Sequence, residues 1–116
     1  LPMTPELSAQ EIRSLLRRLG ITENYAGFPC TVRAVQLSLE DPARLQLITK
    51  RIYPDVARHC RTTPQRVERN IRTVSATAWK KNRPQLLELA GFPLARRPNN
   101  ASFLAILMGA CVEESG

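Results

Sequence analysis

Residues 61–83, RTTPQRVERNIRTVSATAWKKNR, have a spacing of apolar residues that predicts one long helix, around which the rest of the chain is organised. Thr63 suits the N-cap, and Pro64 suits the first turn, where a missing N–H loses no hydrogen bond. Residues spaced by three or four share one face of a helix. Four apolar residues follow at intervals of four, three and four: Val67, Ile71, Val74 and Ala78. We expect this face to be buried and the opposite face to be exposed.

The opposite face of this predicted helix is strongly basic. Residues 61–83 contain seven Lys or Arg and one acid, whereas the other 93 residues contain ten bases and nine acids. Nearly all of the net charge of +7 therefore lies on one element. Such clustering is typical of a helix that docks on nucleic acid, and a solvated charged face is the ordinary alternative. The exposed face is expected to comprise Gln65, Arg66, Arg69, Arg72 and Thr73, with Glu68 at its edge.

The composition favours a single small helical domain. The chain has 116 residues, 43% of them apolar and only 5% aromatic, so aliphatic side chains must build the core. No apolar run approaches the roughly 20 residues of a membrane span, and the first residues do not resemble a signal peptide. The three cysteines are widely spaced and odd in number, which favours reduced thiols in a cytoplasmic protein.

No pattern in the sequence predicts a catalytic, metal or cofactor site. The chain has one histidine, His59, no CxxC pair, and glycines too scattered for a phosphate-binding loop. The adjacent acids Glu40 and Asp41 suit a helix boundary better than paired acid–base chemistry. We therefore expect the protein not to be an enzyme.

Start and stop signals divide the first half of the chain. Residues 1–7 are predicted to be the end of a linker, and residues 8–116 to be the helical domain. A capping box at Ser8–Glu11 would start the first helix, and Gly20 would end it. A second helix is predicted from about residue 28 to residue 40. A third begins at Asp41-Pro42 and is broken at Tyr53-Pro54, since a residue before proline is disfavoured in helical angles.

The pattern in the second half of the chain predicts a helix-turn-helix at about residues 54–82. A short helix over 54–60, a turn at 61–63 and the basic helix stand in the order of that motif, whose second helix enters the DNA major groove. Pro84 and Gly91 bound one more helix, and Asn99 or Asn100 caps the last. The last helix is so apolar that a core and an interface are equally good interpretations. The chain as a whole is therefore predicted to be an all-α, compact bundle of about six helices.

The stretch ITKRIYPDVARHCRTTPQRVERNIRTVSATAW, residues 48–79, resembles the C-terminal effector domain of the stage-zero sporulation response regulator of spore-forming Firmicutes. The matching motifs are ITK and YPD, then the threonine pair, RVER, IR and AW. Gly91, Pro98, Asn100 and Phe103 fit the final loop and helix of that family. The resemblance covers nearly the whole chain and is weakest before residue 44.

This resemblance implies an all-helical domain that binds a short asymmetric DNA box, often in tandem copies, to control transcription. Its recognition helix is similar to residues 64–82. By position, Gln65, Arg66, Glu68 and Arg69 would face base edges, where arginine suits guanine and Glu68 could accept from cytosine. The residues expected to hold phosphates are Arg61, Thr63, Arg72, Lys80 and Lys81.

The chain also departs from that family. Pro64-Gln65 replaces small residues at the start of the recognition helix, and Gln65 could favour adenine. Residues 83–95 match poorly the segment implicated in contacting the RNA polymerase sigma subunit. A receiver domain upstream would, as in the family, relieve inhibition when phosphorylated and drive dimerisation on tandem sites. Two other functions stay open: a basic helical module that binds nucleic acid without sequence preference, and a protein-binding helical adaptor.

Overall fold

The computed structural model describes residues 4–115, and it is all-helical over this range. Seven α-helices and one 3₁₀ segment follow one another, which confirms the predicted fold class and agrees with the predicted count of about six. The α-helices are α1 (Pro5–Arg18), α2 (Gly27–Glu40), α3 (Ile48–Arg51), α4 (Tyr53–Cys60), α5 (Pro64–Lys81), α6 (Arg83–Ala90) and α7 (Asn100–Ser115). The 3₁₀ segment is Pro42–Leu47.

Helix α1 begins earlier than the sequence indicated. Thr4 caps it, since its Oγ1 accepts a hydrogen bond from the Leu7 amide at 3.1 Å, and Pro5 occupies the first turn. The capping box predicted at Ser8 is wrong: Ser8 is buried inside the helix and its Oγ donates to the Pro5 carbonyl at 2.9 Å. Residues 5–7, predicted to end a linker, are therefore helical, and residues 1–3 lie outside the described range.

The predicted third helix is divided into two short pieces. Asp41 starts it as expected, with its Oδ1 accepting from the Ala43 amide at 3.2 Å, but the turns after it are 3₁₀ and only α3 is α-helical. The break falls at Ile52, with φ −116°, and not at Tyr53. Tyr53 opens α4 because Pro54 lies in the first turn, where its missing N–H costs no bond.

Gly20 ends α1 as predicted. With φ +84° it adopts the left-handed conformation that only glycine takes without strain. Its amide donates to the Arg17 carbonyl and the Ile21 amide to the Leu16 carbonyl, both at 2.9 Å, which together form a Schellman cap.

The core lies between α2 and the helices that surround it. Helix α2 packs on α1, α4, α5 and α7, and α7 also packs on α5 and α6. Val112, near the end of α7, is 57% exposed, but six other apolar residues of this helix are buried in the core. These residues are Phe103, Leu104, Ile106, Leu107, Ala110 and Cys111. Within residues 4–115, no helix is long and apolar enough to cross a membrane.

Helices α2 and α5 approach so closely that only glycine fits between them. A Cβ built on Gly27 would lie 2.5 Å from the backbone oxygen of Asn70 and 2.6 Å from a methyl group of Val74. Gly109 on α7 is the opposite case, since its added Cβ would meet no atom within 4 Å.

We predict opposite effects for alanine at these two glycines. Gly27→Ala should lower the free energy of unfolding by about 1–3 kcal/mol, since a backbone atom must move. Gly109→Ala should raise it by about 0.5–1 kcal/mol through helix propensity alone. Urea unfolding of both variants followed by circular dichroism measures this, and equal stabilities would contradict the close packing of α2 on α5.

Candidate nucleic-acid interface

Helices α4 and α5 form a helix-turn-helix joined by a strained turn. Arg61 ends α4 in the left-handed conformation, φ +55° and ψ +50°, and is the one non-glycine residue with positive φ in the described chain. The Thr62 amide then donates to the Ala57 carbonyl at 2.9 Å and closes the turn. The predicted motif at 54–82 agrees with the observed helices to within one residue at each end.

The first turn of α5 forms as its sequence predicts. The Thr63 Oγ1 accepts from the Arg66 amide at 3.2 Å, and Pro64 follows in the first turn. Because the hydroxyl accepts this bond, its proton can still be donated to another acceptor. Thr63 is exposed, so an anion can approach it from outside.

The two faces of α5 separate as predicted. All four residues of the apolar stripe are fully buried, namely Val67, Ile71, Val74 and Ala78. The residues proposed to contact DNA are exposed, apart from Glu68, which is half-buried. Gln65, Arg66 and Arg69 lie close together on the first two turns. Lys80 and Lys81 lie in the last turn, about 20 Å further along at a rise of 1.5 Å per residue, which is beyond the width of a major groove.

Glu68 and Arg72 are paired across one turn of α5. The Arg72 Nη2 lies 3.5 Å from the Glu68 Oε2, and both side chains are partly exposed. A pair of this kind contributes little stability. It does place the only acid of the basic helix beside a guanidinium group, and this reduces its repulsion of a polyanion. Two residues predicted to have different roles, base reading and phosphate binding, are therefore in contact in the free protein.

Asn100 fastens the last helix to both helices of the motif. Its buried Nδ2 donates to the Tyr53 hydroxyl at 2.9 Å and to the Glu68 carbonyl at 3.0 Å. Burial raises the pKa of Tyr53 above its usual value, with the bond from Asn100 acting in the opposite direction. Of the two predicted caps, Asn99 and Asn100, it is Asn99 that caps α7, since its Oδ1 accepts from the Ser102 amide at 2.8 Å.

Two further polar contacts hold α5 in place, and no pattern in the sequence predicts either of them. The Ser75 hydroxyl, fully buried, donates to the Pro98 carbonyl at 3.0 Å. At the end of α5, the Asn82 Nδ2 donates to the Leu19 carbonyl at 2.7 Å, so it binds an orphan carbonyl at the end of α1. Both bonds join residues far apart in sequence, which no local pattern can indicate.

The fold brings together two cysteines that are 30 residues apart. Cys30 on α2 and Cys60 at the end of α4 are free thiols in hydrogen-bond contact. Burial, and secondly the neighbouring Cys30, raises the pKa of Cys60 to about 11, so it stays protonated near neutral pH. Among the described residues, no three His, Cys, Asp or Glu side chains are grouped to hold a metal ion.

This geometry defines a DNA-binding domain of the helix-turn-helix class. A family model described as "Sporulation initiation factor Spo0A C terminal" matches residues 12–110. The match covers nearly the whole chain, and the chain belongs to this family of DNA-binding effector domains of sporulation regulators. It is a DNA-binding family and not a catalytic one. The resemblance found in residues 48–79 is therefore confirmed.

The strained turn allows the effect of Arg61 on stability to be separated from its effect on DNA affinity. Arg61→Gly relieves the left-handed strain, so the free energy of unfolding should stay the same or rise by up to about 1 kcal/mol. DNA affinity should fall on every sequence, because a predicted phosphate contact is lost. Urea unfolding and duplex titration measure the two effects, with Arg61→Asn as a control that also tolerates the turn. A stable variant with full DNA affinity would remove Arg61 from the interface.

Proposed function

We propose that this domain reads a specific DNA sequence by placing α5 in the major groove, and so controls transcription as the effector of a response regulator. The observation that supports this best is the division of α5 into a fully buried apolar face and an exposed face with the predicted base-reading side chains. The tight turn after α4 and the bonds from Asn100 fix that face relative to the rest of the domain.

Each predicted base contact has a stated chemistry. Arg66 and Arg69 present guanidinium groups that can grip O6 and N7 of guanine, and Gln65 can pair with adenine. Glu68 can accept from the amino group of cytosine. For this it must leave Arg72, and the pair is partly exposed, so exchanging it for DNA partners costs little. Arg72 is then free to bind a phosphate.

The other predicted phosphate ligands surround the reading residues on both sides. Arg61 and Thr63 lie before α5, whereas Lys80 and Lys81 lie in its last turn. Contacts of this kind set the register of a protein on DNA without reading its sequence. They also make binding strongly dependent on salt.

Two rival functions differ in what they require of the structure. A non-specific module needs only the basic face and would bind any duplex alike. An adaptor was expected to use the apolar helix α7, but six of its apolar residues are buried, which leaves mainly Val112 at its end for a partner. The described chain therefore favours DNA binding over the adaptor, and sequence preference is the property left to measure.

Regulation and partners follow from the proposed role. We propose a receiver domain upstream whose phosphorylation relieves inhibition, and a homodimer that forms on tandem boxes in the cytoplasm. We also propose that the segment after α5 contacts the polymerase sigma subunit. In that segment Phe92 leaves 56% of its surface exposed, an unusual position for a large aromatic side chain that has no partner to cover it.

Two alanine variants separate base reading from phosphate binding. Arg69→Ala should cost about 1–3 kcal/mol on a tandem box of the family type and relax specificity at one position. Lys81→Ala should weaken box and scrambled duplex alike and reduce the slope of log affinity against log salt by about one. Titrations against both duplexes at two or more salt concentrations measure this.

The same titrations can refute the proposal. Equal losses on box and scrambled DNA for both variants would exclude base reading by Arg69. No binding of either duplex at low salt by the unaltered domain would exclude DNA as its partner.

Phe92 allows a separate test of the sigma contact. Phe92→Ser should leave DNA affinity unchanged but lower polymerase activation at a box-bearing promoter several-fold, as expected when an aromatic anchor is removed from an interface. Transcription in vitro beside a DNA titration measures both properties. Leu47→Ser is the matched control, since Leu47 is 50% exposed on another element. Equal activation by both variants would contradict a role for Phe92.

A further inference from the structure

A shallow cavity of about 290 Å³ lies where the start of α7 meets α5. Its walls come from α3, α4, α5 and the first residues of α7, and they include Glu68 and Arg72 of the DNA-reading helix. Arg97, from the loop before α7, completes the wall. The cavity is therefore continuous with the face of α5 that would meet DNA, although Arg97 lies outside the helix-turn-helix.

The charge around this cavity is positive. Arg72 and Arg97 contribute two guanidinium groups, and Glu68 is the only carboxylate among the lining residues. Asn100 and Ala101 of the lining begin the 16-residue helix α7, whose first N–H groups favour a negative charge. An anion at this place would meet attraction from both arginines.

Arg97 lacks the partners that a structural arginine normally has. Its Nη1 is buried without a hydrogen-bond partner, and Arg97 makes no ion pair with any described residue. Leaving a buried donor unpaired is costly, so a native group of this kind needs a reason. A ligand oxygen that accepts from this guanidinium is such a reason.

The loop that contains Arg97 is fixed directly to the recognition helix. Pro98, the next residue, accepts from the buried Ser75 hydroxyl at 3.0 Å, and Asn100 donates to the Glu68 carbonyl at 3.0 Å. These two bonds join the loop and the start of α7 to α5. Arg97 therefore keeps its place relative to α5 when that helix docks, which is what a residue needs to select one position on the DNA backbone.

We propose that this cavity binds one phosphate of the DNA backbone and that Arg97 is its principal ligand, with Arg72, which also lines the cavity, as the second. The inference depends on the proposed docking of α5 and extends the DNA-contacting surface to a second part of the chain. Arginine suits this role because its planar fork matches phosphate oxygens. The contact fixes register and is indifferent to base sequence.

The test compares Arg97→Met with Arg96→Met. Both substitutions remove one positive charge from the same loop and keep an unbranched side chain, but Arg96 is exposed and does not line the cavity. Arg97→Met should lower affinity for box and scrambled duplex roughly tenfold, as for a lost charge-assisted bond, and reduce the salt slope by about 0.9. Arg96→Met should change the slope much less. Thermal unfolding should show Arg97→Met no less stable than the unaltered protein, since an unpaired buried nitrogen is removed.

A single uncharged phosphate in the duplex gives the decisive readout. Methylphosphonate placed at each backbone position in turn should identify one position where the unaltered protein loses affinity and Arg97→Met loses none further. If the two methionine variants behave alike, or if no position shows this coupling, the phosphate site is wrong. The proposed function fails on a different result, namely equal binding of box and scrambled DNA by the unaltered protein.

Discussion

The burial of the apolar face of α5 against its neighbouring helices determines how the DNA-binding face is presented. Its stripe from Val67 to Ala78 is fully enclosed, and α2 comes so close that Gly27 has no room for a side chain. A helix buried in this way cannot rotate without exposing apolar area, at about 25 cal/mol per Å². The basic face is therefore fixed outward by packing on the opposite face, and the charged residues themselves contribute little to holding it there.

Polar contacts fix the position of α5 along its axis, which apolar packing leaves poorly defined. Apolar burial has no direction, so it limits the rotation of α5 more strictly than its sliding along the axis. Asn100, Ser75 and Asn82 each make a hydrogen bond between parts of the chain that are distant in sequence, and each anchors a different level of α5. Together they fix both ends and the middle of the helix, so that its exposed side chains keep one geometry before any DNA is bound.

The loop before α7 shows how a second element can extend the proposed DNA-contacting surface of α5. Its residues show no periodicity, and its two arginines look alike in sequence. The bond from Ser75 to Pro98 and the bond from Asn100 to Glu68 hold this loop against α5, where Arg97 lines a cavity together with Arg72 and Arg96 is exposed. A DNA-binding surface built from one helix would thus acquire a contact that the helix by itself cannot supply.

The class of fold, the two faces of α5 and the positions of most helix ends could be predicted from the sequence. These features follow from local rules of helical spacing, from caps and from proline, and all of them act within a few residues. Tertiary structure decided whether the apolar α7 is core or interface, where the chain breaks at Ile52, and which residues meet across long distances. The contacts of Cys30 with Cys60 and of Asn100 with Tyr53, and the cavity that Arg97 shares with Arg72, were not foreseeable, since each depends on how helices pack and not on neighbours in the chain.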